Sequence, residues 1–218
     1  MATTTPNYGW TVPTSTDLVK DGATAIETLG DAIDASMNTA LGTKKAGMVL
    51  LNTTSFSGVA SQSFNDVFSA TYDNYRIIYA DDQTTGSGDL RLRLRVGGTD
   101  NSSANYNYSY AYQAGNASAN TLNSQRVNNA NTANETFAYI GGINSTGGCA
   151  YTVLDILNPF LTKRTGWQGL NLFTTTGTNL ISGDLNGNIS VTTSYTGLTL
   201  LVSTGNFGGK VSIYGYNV

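Results

Sequence analysis

The chain holds no histidine and a single cysteine, Cys149, in 218 residues. Triads that use histidine as the base are therefore excluded, and so are zinc sites built from His and Cys. No intrachain disulfide can form. A phosphate-cradling GxxxxGK loop is missing, and the glycine cluster TGNFGGKVS lies between strand-like runs, not ahead of a helix. No cofactor or metal is expected. Carboxylates remain. Glycoside hydrolysis needs two of them about 5 to 9.5 Å apart, and Asp81, Asp82, Asp89, Asp100, Glu135, Asp155 and Asp184 are available. Nothing in the spacing pairs any two, so a non-enzymatic role is expected, with a glycan depolymerase as the alternative of another class.

Two rows of side chains could bind instead of react. Arg91, Arg93 and Arg95 alternate with leucines and would form a three-arginine stripe on one strand face. Like charges in a row call for cross-strand or intersubunit aspartates; the functional alternative is a landing site for an acidic surface glycan. Tyr106, Tyr108, Tyr110 and Tyr112 share one face of the next strand-like run. Tyrosine is amphipathic enough to line a core, an intersubunit seam or a sugar platform. Packing is the preferred reading, and Tyr108, Tyr110 and Tyr112 are the candidate sugar-facing members.

These rows need a β scaffold, and the composition supplies one. Gly, Ser, Thr and Asn dominate, only 11% of residues are charged, and Tyr provides 13 of the aromatics. That balance suits an antiparallel β domain with many turns. From Met48 onward, runs of period two recur at 48–58, 62–69, 72–81, 89–98, 105–115, 135–143, 149–159, 165–175, 180–190, 198–204 and 209–217. Tyr75, Ile77 and Tyr79 should face one way, as should Leu90, Leu92, Leu94 and Val96. Turn-formers separate the runs. A jelly-roll-like antiparallel β-sandwich over 46–218 is the natural solution. The Asn-rich stretch 114–134 reads as a large polar loop.

Upstream the period changes. In STDLVKDGATAIETLGDAIDASMNTALG (15–42), Val19, Gly22, Ile26, Leu29, Ile33, Ser36 and Ala40 are spaced alternately by three and four. That is a heptad seam. Gly22 and Ser36 weaken it as knobs, and Gly30 costs about 1 kcal/mol against Ala. So thin a stripe has little to fold against unless copies lie side by side, so residues 15–45 are expected to be a short coiled-coil stalk joined through Val19, Ile26, Leu29, Ile33 and Ala40. The alternative is an amphipathic helix packed on the β domain. Ser15 or Thr16 could cap it, with Asp17 and Asp21 at its positive end and Lys44 and Lys45 beyond Gly42.

Residues 1–14 carry Pro6, Gly9 and Pro13 and should run extended. Tyr8, Trp10 and Val12 alternate and give one apolar edge. With Pro13 they form the expected attachment surface for another protein, unless the arm folds back on its own chain.

The net charge of −3 divides as −4 over residues 1–42 and +1 over the rest. Neither part is a basic patch, so no nucleic-acid partner is expected. No apolar run approaches a membrane span, so membrane insertion is not expected. The opening residues lack a secretory signal, although the composition is that of an extracellular protein. A particle assembled in a cytoplasm and released by lysis reconciles the two.

Three pieces of sequence now carry a resemblance: TTTPNYGW followed by VPTSTDLVKDGATAIETLGDAID; SFSGVASQSFNDVFSATYDNYRIIY leading into LRLRLRVGGTDNSSANY; and the ending GKVSIYGY. Together they span about half of the chain. In this order they resemble tailed-bacteriophage fibre and minor tail structural proteins. The resemblance implies a virion protein with an N-terminal arm that attaches to another phage structural protein, a homotrimeric stalk, and a β head facing the host surface and its glycans. The family's roles include tail fibre, baseplate tip and head decoration, and a head fibre or capsid decoration protein is the alternative to a tail fibre. The chain lacks the β-helix repeats of many enzymatic tailspikes.

Overall fold

A computed structural model describes residues 3–16, 18–41, 47–81, 88–116, 121–129, 135–143, 149–175 and 179–217. The chain divides into two compact units between residues 46 and 47, where the sequence period changes from heptad to alternation.

In the first unit the arm is extended, but in two pieces that double back. Strands β1 (Thr3–Thr4) and β2 (Thr11–Val12) pair antiparallel, Thr3 opposite Val12 and Thr4 opposite Thr11. Pro6 fixes one dihedral of the turn, and Gly9 takes a φ of 66° while its N–H donates to the Thr5 carbonyl at 3.0 Å. The arm is thus a small hairpin and not one continuous strand. Helix α1 (Gly22–Leu41) follows a single 3-10 turn at Val19–Asp21. Neither Ser15 nor Thr16 caps the α-helix: Leu18 stands at the start of the 3-10 turn and no side chain caps that end. Asp17, Gly42, Lys44 and Lys45, proposed as end signals, lie outside the described residues.

The described residues of the second unit form thirteen strands: β3 (Val49–Val59), β4 (Ser61–Phe64), β5 (Asn74–Ala80), β6 (Gly88–Val96), β7 (Thr99–Asp100), β8 (Tyr106–Asn116), β9 (Thr121–Asn129), β10 (Ala138–Ile143), β11 (Ala150–Leu157), β12 (Gly166–Thr174), β13 (Leu180–Ile189), β14 (Gly197–Val202) and β15 (Phe207–Tyr216). They form an eight-stranded sheet in the order β3-β15-β5-β11-β12-β13-β8-β9 and a smaller one in the order β10-β6-β14-β4, with β7 on β6. Every pairing is antiparallel. The two sheets enclose one core, giving the expected antiparallel β-sandwich.

Alternation explains that core. Leu90, Leu92 and Leu94 of β6 are fully buried and lie opposite Val202, Leu200 and Leu198 of β14. From the large sheet Tyr75, Ile77 and Tyr79 of β5 and Leu154 and Ile156 of β11 meet them in the same cluster. Each such side chain gains about 1.5–3 kcal/mol on burial. Val96 departs from the expected face and is exposed. The chain turns there: Gly97 and Gly98 both take positive φ, 54° and 79°, closing a tight hairpin into β7.

Two further expectations are corrected. The run 62–69 is strand only to Phe64; Asp66 has a φ of 53°, and Phe68 tucks into the core as coil. The stretch 114–134 is not a large loop where described. Strand β9 pairs with β8 from Asn116 opposite Thr121 to Tyr108 opposite Asn129. As an edge strand its backbone gains partners from one neighbour without needing an apolar face, so its polar sequence hid it. Residues 117–120 and 130–134 of that stretch lie outside the described residues.

Candidate functional site

The proposed oligomerisation residues divide into two groups. Val19 is 97% exposed and Ile26 65% exposed, Ala40 is also exposed, and Leu29 and Ile33 are half-buried. The partial cover is local, because β2 packs beside α1. Trp10 donates from its indole Nε1 to Ser36 Oγ at 2.9 Å, and Tyr8 stacks on Trp10 with ring centroids 5.2 Å apart. Of the proposed attachment residues, Trp10 and Val12 are thereby half-buried in cis, while Tyr8 and Pro13 remain exposed. A helix that leaves Ile26 and Met37 in water, after a turn that exposes Val19, has unburied apolar surface.

The arginine stripe exists, but its charges are spoken for inside the sheet. Arg95 and Asp100 are register partners on β6 and β7 and form an ion pair. Arg95 also donates to Thr199 Oγ1 at 2.7 Å, Ser63 Oγ at 3.0 Å and Asn65 Oδ1 at 3.0 Å. Arg91 pairs with Asp89 at 2.8 Å and lies 4.0 Å over the ring of Phe137. Arg93 Nε donates to the Thr136 carbonyl at 2.9 Å and pairs with no carboxylate among the described residues. The stripe is a set of structural pairs with one charge left over, not an open anion cradle.

The tyrosine row does share one face, as expected, and that face points into the sandwich. Tyr106 and Tyr110 are buried, and Tyr108 and Tyr112 pack against the core from the side. Four of the buried phenols find partners. Tyr106 accepts from the Leu94 N–H and donates to the Asn101 carbonyl, both at 2.9 Å. Tyr75 donates to the Ser69 carbonyl, Tyr79 to the Gly208 carbonyl, and Tyr195 accepts from Asn101 Nδ2. The hydroxyl of Tyr110 is buried and has no hydrogen-bond partner among the described residues.

Around Tyr110 the structure opens. A pocket of about 300 Å³ is lined by Tyr108, Tyr110, Tyr112, Tyr139, Phe173, Ile181 and Asp89. Tyr110 stacks on Tyr112 (5.2 Å, 21°), Tyr139 on Tyr108 (6.0 Å, 29°), and Tyr139 meets Tyr110 at 5.1 Å. Burial pushes the phenols of Tyr110 and Tyr139 well above the ordinary tyrosine range. Gly142 of β10 makes room: a Cβ there would sit 2.4 Å from Phe173 Cζ. The pocket therefore unites the three proposed tyrosines and, through Asp89, Arg91. It does not bring in Arg93 or Arg95.

Sequence reasoning missed Tyr139 and Phe173, because their strands carry no aromatic row to flag them. It also missed a shallower groove of about 520 Å³ on the outer face of the large sheet. There Arg76 and Asp155, opposite each other on β5 and β11, form two parallel bonds: Nε to Oδ1 at 2.8 Å and Nη2 to Oδ2 at 2.7 Å. Asp184 lines the same groove, so two of the candidate carboxylates share a cleft there. Both oxygens of Asp155 are held by Arg76, so that carboxylate is engaged structurally and is poorly placed to pass a proton to a sugar. Among the described residues no cluster of three or more His, Cys, Asp or Glu could hold a metal. Asp82 lies outside them.

No family model, no curated protein and no solved structure matches this chain.

Proposed function

We propose that the chain is a non-enzymatic structural protein of a tailed-phage virion, a homotrimeric tail fibre or tip attached by its N-terminal unit. Its β head contacts the host surface. The observation that carries this reading is the heptad stripe of the helical segment, open to water at Val19, Ile26 and Ala40, set in a unit separate from a β unit that encloses its own core. A helix of 20 residues with Ile26 in water, preceded by a turn that exposes Val19, gains stability by packing on copies of itself. The head needs no such help. Tyr8 and Pro13 are the arm residues left free to dock on another structural protein of the particle. Three heads on one stalk add weak contacts through effective concentration, so one site can bind loosely while the assembly holds.

Ile26→Asp tests this directly. Ile26 is exposed, so the substitution leaves the monomer fold intact but puts three carboxylates into the seam. Sedimentation of the full chain should change from trimer to monomer with the head's melting temperature unchanged. A wild-type chain that sediments as a monomer would remove the proposal, and antibody labelling of the particle would separate a tail from a head location.

A further inference from the structure

The geometry points to the tyrosine pocket of the head as a binding site for one neutral pyranose ring, held between tyrosine faces and hydrogen-bonded by the Tyr110 hydroxyl. This inference rests on the reading of the head as the surface-contacting unit, but it requires neither the trimer nor a particle.

Four observations lead there. The first is the unpartnered hydroxyl. Tyr75, Tyr79, Tyr106 and Tyr195 all engage protein partners, whereas the Tyr110 hydroxyl, on a residue 2% exposed, engages none. A buried unpaired donor is costly, and a ligand hydroxyl would satisfy it. The second is the wall chemistry. Stacked tyrosines present flat apolar faces edged with hydroxyls, which suits a ring with C–H faces and a polar rim.

The third observation is charge. Asp89 is the only carboxylate or basic group among the described lining residues, and it already pairs with Arg91 at 2.8 Å. Asp89 can still accept a hydrogen bond, but a cation entering the pocket would meet a neutralised carboxylate and a nearby guanidinium. An anion would meet buried phenols with no free cation. A neutral polyol fits both conditions. The fourth is size. About 300 Å³ lies at the lower end of the range for ligand pockets, room for one ring and not a long oligosaccharide. A terminal residue of a surface glycan would enter end-on.

The test uses the full chain and saturation-transfer difference NMR with free glucose, galactose, N-acetylglucosamine and, as a cationic control, tetramethylammonium. At least one sugar should receive magnetisation on its ring protons, and Tyr112→Ala should abolish it. Tyr110→Phe is the sharper variant. It deletes a hydroxyl that the fold does not use, so sugar affinity should fall about tenfold while the melting temperature rises by about 2–4 °C. A purely structural tyrosine would not move the two readouts in opposite directions. Transfer to none of the three sugars, transfer unchanged in both variants, or transfer to tetramethylammonium alone would each overturn the inference. A trimer that binds no sugar sinks only the pocket, and a sugar-binding monomer sinks only the stalk.

Discussion

Trp10 and Ser36 are joined by one hydrogen bond, indole Nε1 to Oγ at 2.9 Å, across 26 residues of sequence. Ser36 is one of the heptad positions of α1, so the arm covers a position that the proposed seam would otherwise present to a neighbouring helix. The bond ties the arm to the helix within one unit. Ser36→Ala should release Trp10 at a cost of about 1 kcal/mol to the N-terminal unit. The measurement is tryptophan emission. A red shift from Trp10 is expected against a constant contribution from Trp167, which is buried in the head. Unchanged emission would mean that the contact does not hold the arm.

Arg93 and Arg95 stand two residues apart on one face, yet they should behave differently. The Arg95 side chain is 12% exposed and serves Asp100, Thr199, Ser63 and Asn65. Arg95→Gln strands Asp100 and should cost about 2 kcal/mol. Arg93→Gln should cost under about 1 kcal/mol. Urea unfolding of the two variants gives the comparison, and equal costs would mean that the network around Arg95 contributes little.

Gly141 sits at the bulge in β10 with a φ of 128°, where a side chain is strained. A Cβ would lie 2.1 Å from Cγ of Asn171. Asn171 is 1% exposed; it accepts from the Gly142 N–H and donates to Thr152 Oγ1. Gly141→Ala should therefore dislodge a buried amide along with the strand, at about 3 kcal/mol. Calorimetry should show the head melting roughly 6–12 °C lower. A drop of under 2 °C would show that β10 shifts without loss.

Alkaline pH should unfold the head. Burial raises the phenols of Tyr106 and Tyr110 above their ordinary value of 10.0. Each ionises more readily in the unfolded chain than in the fold, so stability is complete below pH 10 and is lost as pH climbs from there toward the higher folded values. The slope is about 1.4 kcal/mol per pH unit for each residue. With no histidine in the chain, no side chain of ordinary pKa between 5 and 8 is present to alter stability there. Urea midpoints should be level from pH 6 to 9 and fall by pH 11. A midpoint that stays level to pH 11 would contradict the burial of these rings.

The sandwich was legible where side chains alternate cleanly. Leu90, Leu92 and Leu94 announce their buried face, and so do Tyr75, Ile77 and Tyr79, because period two leaves one face in water and one in oil. Strand β9 was not legible. An edge strand whose only apolar residues, Leu122 and Val127, stand five apart has backbone partners but no alternating pattern. The pocket was half legible for a similar reason. Tyr108, Tyr110 and Tyr112 advertise themselves in a row, but Tyr139 and Phe173 reach them only through the crossing of β10 over β8 and β12. Such a crossing leaves no trace in linear spacing. The arginine stripe was legible as a row that needs cross-strand aspartates, as Asp100 opposite Arg95 shows, but which aspartate serves which arginine was not, since Asp89 lies at the strand's own end.

Strand β3 has a mechanical consequence. It is the first strand after the helical unit, it lies at the edge of the large sheet, and among the described residues it pairs with β15 alone. None of its eleven residues is fully buried. Tension passed along the chain from the helical unit to the β unit enters through this strand. The load meets one ladder, broken by two bulges, and only at its far end the packing of Phe56 and Val59 against the core. Pulled hard, the β unit should yield there first, giving up those two contacts before its fully buried residues separate, as a fuse protects a circuit.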